Sequence, residues 1–391
     1  MKPHLTAILS LLAAQIACGV ETPAADAKPW AKFQYKSEGI EVPAATADEP
    51  RVKAFGPDTI KAAAKYLDDG AHHWVREKSC IACHSTGVYM VERSALTKQL
   101  GKPSEVVLED FIKSVPAGPG KPGDSALASI WRSSGLASWD KHVIGKLSEH
   151  TEKSLRHTVS ILPEDGLYKN IKLVEIPYIT TRFQMTVQAA RAIVTAPGWL
   201  AGLKDPELLT RIELMKSRLR EHQPVSDYEL ALKLQLAALM PDLVSQDVRD
   251  AATAMLWRQQ LPDGGWSTRR MSDVMNWRQE IFPPSEKYKW TEAMDPQVVA
   301  LIQNEPDAAS PGSDPYMTAF AIVLLRESGV PANDPRIQRG IAWLKSNQRV
   351  TGRWWMKSLY RDTYHYITYI STAQALRALA LCDELPAIAG R

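Results

Sequence analysis

The sequence predicts an all-α protein built from repeated helical hairpins. Three observations carry this. Apolar residues recur at helical spacing while strand signals are scarce, helix start and stop signals recur along the chain, and one hairpin unit is repeated. The composition is that of a folded globular protein, with 45% apolar and 23% charged residues over 391 positions. That length suits a closed ring better than a single growing core.

The elements follow in order. Helices are expected over about 57–68, 88–100, 181–195 and 205–221. Ser226-Asp227-Tyr228-Glu229 is a capping box, in which the Ser and Glu side chains satisfy free amides at a helix start. Pro241 ends that helix. Val248, Ala251, Ala252, Met255 and Leu256 then share one face of the next. Asp314-Pro315 and Asp334-Pro335 each place a cap residue before a proline at the first helical position. Gly329 and Pro331 are a stop signal, and a last helix is expected over about 364–382.

Tyr228 and Tyr316 each stand 32 residues before a Gln-x-x-x-Gly-x-Trp loop, at 260–266 and 348–354. Within the repeat Leu256 matches Leu344, and Ile161–Tyr168 is a worn copy of the loop. Glutamine can bond free backbone groups at a helix end, glycine permits a left-handed turn, and tryptophan covers the neighbouring helix pair. Such hairpins can stack into a ring of inner and outer helices. The loops resemble the QW motif of squalene–hopene cyclases, within the terpenoid cyclase and protein prenyltransferase superfamily. The resemblance covers about 57–385, most clearly 226–382, and implies an α/α toroid with a central cavity.

The active sites of that superfamily are not carried over. The chain has no Asp-x-Asp-Asp acid, since Asp68-Asp69 follows Lys65-Tyr66-Leu67. It also lacks the Asp-x-Cys zinc pair of prenyltransferases and the Cys-Gly-Glu-Gln thioester of complement-type toroids. Asp263, Asp273 and Asp362 remain as acid candidates on charge alone. The catalytic residues are therefore unassigned.

The N-terminus reads as an export signal. Lys2 supplies the positive end and Leu5 to Ala17 a mainly apolar run too short to span a bilayer. Cleavage is expected after Gly19, with Ala25-Asp26-Ala27 as a second candidate, and Cys18 is a candidate lipid anchor. Residues 20–56 read as leader or linker before a toroid domain at 57–391. The expected location is periplasmic or otherwise exported. A net charge of +3, with no dense basic run, argues against nucleic acid as a partner.

Cys80-Ile81-Ala82-Cys83-His84 fits covalent attachment of haem c, with two thiols on the vinyl groups and His84 on the iron. Met90 is a candidate sixth ligand, with His72, His73 and His365 as others. A Cys80–Cys83 disulfide, simple thiols, or zinc on Cys80, Cys83 and His84 stay open as readings. The segment falls roughly where later repeats carry their loop. Cys382 lies in an apolar run and reads as a buried small hydrophobe. Trp354, Trp355, Tyr360, Tyr364, Tyr366 and Tyr369 are read as ring-closure packing, or as a cavity lining or stacking platform for sugar rings.

The first function expected is an exported haem-c-bearing toroid in a redox or electron-transfer role, with a redox partner protein. The alternative is a cyclase-like or other toroid enzyme, or a ligand-binding protein, without haem. It would hold an apolar small molecule, a terpenoid or a polysaccharide in the cavity. A scaffold presenting a protein-binding face is a third.

Overall fold

A computed structural model describes residues 32–78, 81–116, 125–169, 181–271, 310–357 and 366–387. Among these residues twelve helices alternate between an outer and an inner layer. The outer helices are α1 (Pro57–Lys78), α3 (Glu105–Lys113), α5 (Glu149–Ser160), α7 (Pro206–Glu221), α9 (Gln246–Gln259) and α11 (Pro335–Asn347). The inner helices are α2 (Thr86–Val88, continued as a π-helix over Tyr89–Arg93), α4 (Ala126–Trp139), α6 (Arg182–Thr195), α8 (Asp227–Leu239), α10 (Pro315–Glu327) and α12 (Tyr366–Leu381). Each inner helix packs on the next, and α12 packs back on α2, which closes the ring. The fold is an all-α, α/α toroid.

The sequence decides which helices go inside. Inner α10 is apolar almost all round (PYMTAFAIVLLRE) and is buried along its length. Outer α11 shows a single buried face of Ile337, Gly340, Ile341 and Leu344. A helix apolar on every side is stable only with neighbours on every side, whereas one apolar stripe suits the outer layer. Ser125, Ser148, Thr181, Asp205, Ser226, Ser245, Asp314 and Asp334 cap their helices with side-chain acceptors.

The repeat loops are the joints from outer to inner helix. Gln260 Nε2 donates to the carbonyls of Gly264 (2.9 Å) and Arg336 (2.8 Å), while Trp266 Nε1 donates to Leu256 O at 2.7 Å. Gln348 Nε2 donates to Gly352 O (2.8 Å) and Thr59 O (2.9 Å), while Trp354 Nε1 donates to Leu344 O at 2.8 Å. The Gln348–Thr59 bond joins the last loop to the first outer helix and fastens the ring. The worn copy keeps the design: Tyr168 OH donates to Thr158 O, again ten residues back, at 2.6 Å. Its leucine in place of glutamine is offset by Arg211 of α7, which donates to Leu162 O at 2.9 Å.

Two expectations are corrected. Part of the stretch read as leader or linker is built into the domain. Phe33–Ser37 (β1) and Ile40–Pro43 (β2) form an antiparallel hairpin turning at Gly39, whose φ is +74°. Tyr35, Ile40 and Val42 are buried, and Glu49 pairs with buried Arg353 at 2.6 Å. Arg353 also donates to the carbonyls of Pro43 and Ala44, so this arm is tied to the last repeat loop. The alternation Phe33, Tyr35, then Ile40, Val42 around Glu38-Gly39 was the available signal.

The second correction concerns α1, which runs on to Lys78 instead of ending near residue 68. Gly70 lies inside it because a Cβ there would meet ring carbons of Tyr369 at 2.5 Å and Tyr35 at 2.8 Å. The glycine is a close-packing residue, not a stop. Residues 1–31, with Lys2, Cys18 and Gly19, lie outside the described residues. Among the described residues no helix is long and apolar enough to cross a membrane.

Candidate functional site

The described part of the Cys-x-x-Cys-His segment, residues 81–84, lies on the joint between α1 and α2 and makes a repeat-loop contact. The backbone N–H of Ala82 donates to Thr86 Oγ1 of α2 at 3.2 Å. The corresponding amides of Tyr168, Trp266 and Trp354 donate to Thr186, Thr318 and Thr372 of their inner helices, at 2.9–3.0 Å. Ala82 therefore stands where the other loops carry their large aromatic residue. Gly87, against which Trp131 of α4 packs, leaves room for that neighbour to fill the gap.

The described part of the motif is enclosed by aromatic packing. His84 stacks on Tyr366 of α12 with ring centroids 3.7 Å apart, and Trp74 of α1 meets it edge-on at 4.9 Å. Burial pushes the imidazole down to about 3. Cys83 is buried, and Cys80 lies outside the described residues. Met90 is fully buried on a different side, its Cβ facing Gly135 of α4. His72 and His73 bond Ser104 and Ser37 through their ring nitrogens, and His365 lies outside the described residues. Among the described residues no group of three metal-type ligands converges.

The acid candidates are accounted for in part. Asp263 is a loop tie: it accepts from Gly265 N, Ser313 Oγ and Trp343 Nε1. Asp273 and Asp362 lie outside the described residues. Asp314, which sequence reading took for a cap alone, is pushed up to about 6 by burial. It nonetheless accepts from Met317 N, Thr268 N and Thr268 Oγ1, which marks a cap rather than a proton donor. Of the aromatic cluster, Trp354 and Tyr369 are fully buried packing residues, Tyr366 covers His84, Trp355 is half-buried, and Tyr360 and Tyr364 lie outside the described residues. Cys382 is buried, and burial raises its thiol to about 11.

The ring interior is the place sequence reading could not map. Glu92 of α2 bonds Arg191 of α6 at 2.9 Å although α4 stands between those helices, so the contact crosses the interior. Gln374 of α12 joins at 3.4 Å, and Arg377 reaches Glu327 of α10 at 3.5 Å. Burial would raise the Glu92 carboxyl, but Arg191 and Arg377 outweigh it and hold it below the ordinary carboxylate value. This cluster closes the end of the ring where the inner helices finish. From its members, helical spacing marks the interior faces: Gln184, Gln188 and Arg191 on α6, Tyr316, Phe320, Val323 and Glu327 on α10.

Burial agrees with that assignment. Over Tyr316–Leu325 of α10, exposure is 2%, 5% and 6% at Tyr316, Phe320 and Val323 and zero elsewhere. Between Phe183 and Ile193 of α6, Gln184, Gln188 and Arg191 are the half-buried residues. At the opposite end Tyr228 OH bonds Tyr316 OH at 2.7 Å and accepts from Gln184 at 3.0 Å. The interior is thus an aromatic and aliphatic strip facing a strip of amides, with a charged floor.

No protein-family model matches the chain, and no curated protein matches it. Solved structures do resemble it in fold. The ent-copalyl diphosphate synthase from Streptomyces platensis shares 14% identity over 76% of this chain and 50% of its own, with a TM-score of 0.48. The chain thus spans about half of that synthase's length. The type II terpene cyclase MstE from Scytonema shares 14% identity over 84% of this chain and 99% of its own, with a TM-score of 0.44. A glycosidase shares 12% over 84% and 87%, with a TM-score of 0.40.

The haem electron-transfer role expected from the motif is corrected, because residues 82–86 serve as a ring joint with an enclosed histidine.

Proposed function

We propose that the protein is a haem-free toroid that binds an apolar small molecule of terpenoid type in the ring interior. The observation that carries this is the residual exposure that, between Tyr316 and Leu325, falls only on Tyr316, Phe320 and Val323, which marks an inner wall facing space. Opposite that wall stand the half-buried amides of Gln184 and Gln188, held by Tyr228 and Ser134, so the strip facing it is polar. Binding rather than class II cyclisation is the activity assigned, because the strong-acid motif that starts such a reaction is absent from the sequence. The chain acts outside the cytoplasm, a reading that rests on Lys2 and the apolar run from Leu5 to Ala17.

The test is titration of the purified protein with farnesol, followed by tryptophan fluorescence. Saturable binding is expected, at least tenfold weaker in Val323→Trp, whose indole would occupy the interior. A helical, folded protein showing no saturable change, or a Val323→Trp variant binding as well as the parent, would overturn the proposal.

A further inference from the structure

The charged cluster at the end of the ring where the inner helices finish joins walls that face each other. Glu92 of α2 accepts from Arg191 of α6 at 2.9 Å across the interior, and from Gln374 of α12 at 3.4 Å. Arg377 of α12 lies 4.0 Å from the second Glu92 oxygen and 3.5 Å from Glu327 of α10. His142, which follows α4, stands within charge range of Arg377, Arg191 and Glu92. One carboxylate thus ties three walls, and Arg377 carries the tie to a fourth.

Burial marks the centre of the tie. The Glu92 side chain is 3% exposed, whereas Arg191, Arg377 and Glu327 keep 21%, 19% and 27%. The carboxylate is sealed while its partners reach solvent. Taking a carboxylate out of water is costly, and an apolar plug of similar volume would fill the space as stably or more so. What the ion cluster adds is direction. Guanidinium groups bind a carboxylate through donors in a rigid fork, so walls joined this way are held at a fixed separation.

We propose that Glu92 is the keystone of a brace that holds this end of the ring shut, and that removing its charge opens the interior to solvent from the floor. For a ligand held in the interior, which rests on the function proposed above, the brace directs entry and exit to the opposite end.

Val323 lies one turn inside Glu327 on the same face of α10 and is 6% exposed, so a cysteine there reports on the space behind the brace. The test is the rate at which N-ethylmaleimide modifies residue 323 in a Val323→Cys variant of the full chain, read at that residue by peptide mass spectrometry. Adding Glu92→Gln, which keeps the size and removes the charge, is expected to raise the rate at least tenfold, and adding Arg377→Gln at least threefold. Arg156→Gln, which breaks pairs with Glu152 and Asp205 on the outer layer, is expected to leave it unchanged. An unchanged rate with Glu92→Gln would overturn the brace. So would an equal rise with Arg156→Gln, which would mean general loosening. Should Glu92→Gln fail to fold, an unchanged rate with Arg377→Gln would overturn it instead. The labelling needs no ligand, so a protein that binds no farnesol would lose the proposed function and leave the brace standing on these rates.

Discussion

The two complete loops at 260–266 and 348–354 and the cysteine-bearing joint at 81–86 occupy the same position between outer and inner helix, and they are filled differently. All three pass a backbone N–H to a threonine on the inner helix. The complete loops add a buried tryptophan and a glutamine that binds the next outer helix. The cysteine-bearing joint has Ala82 in the tryptophan's place, with His84 packed between Trp74 and Tyr366. The conserved element of the geometry is thus the threonine contact, while the filler can be exchanged if a neighbour supplies the packing.

The largest effects are expected where a complete loop has no substitute. Trp354→Ala should cost about 3–5 kcal/mol through the cavity it leaves, read as a loss in chemical-denaturation midpoint. Gly352→Ala should be comparably severe, since φ is +91° and a Cβ would lie 2.3 Å from backbone atoms of Ala62 and Ala63. If either variant unfolds like the parent, the loop is ornament and not a joint.

Next in size comes Gln348→Ala, which leaves the carbonyls of Thr59 and Gly352 without their donor. A loss of about 2 kcal/mol is expected. Hydrogen exchange should show opening at the α1–α11 seam, and protection unchanged there would separate the bond from ring closure. Tyr168→Phe, in the worn loop, removes one buried hydrogen bond and should cost about 1 kcal/mol.

The other end of the ring supplies a contrast driven by charge. The Glu92 carboxyl lies below its ordinary value, so its contribution is complete above pH about 4.3, the unfolded value, and is lost as pH falls through the lower folded value. Thermal melts between pH 3 and 7 should show the parent losing stability faster than Glu92→Gln on the acid side. Parallel curves would remove Glu92 from the acid limb. The smallest effect belongs to Cys83→Ala, expected within about 1 kcal/mol. A c-type visible spectrum in the parent, lost in this variant, would reverse the contrast between the joints.

Much of the fold was legible because it is local. Helical spacing, the capping residues Ser226 and Asp314, and the pair of loops 88 residues apart are written in short windows. The continuation of α1 past Gly70 was not, since the reason for that glycine is a tyrosine some 300 residues away. The hairpin at 33–43 was visible in its alternation, but its burial depends on Arg353 at the far end of the chain.

The site divides the same way. By itself the sequence determined the helix pairs, the repeat, the absence of the cyclase acid and the presence of a Cys-x-x-Cys-His segment. Tertiary structure alone decided that His84 is enclosed and that Glu92 reaches across the interior to Arg191. The physical reason is range. Caps and periodicity act within a turn or two of helix, whereas burial and charge pairing depend on which distant segments the closed ring brings together.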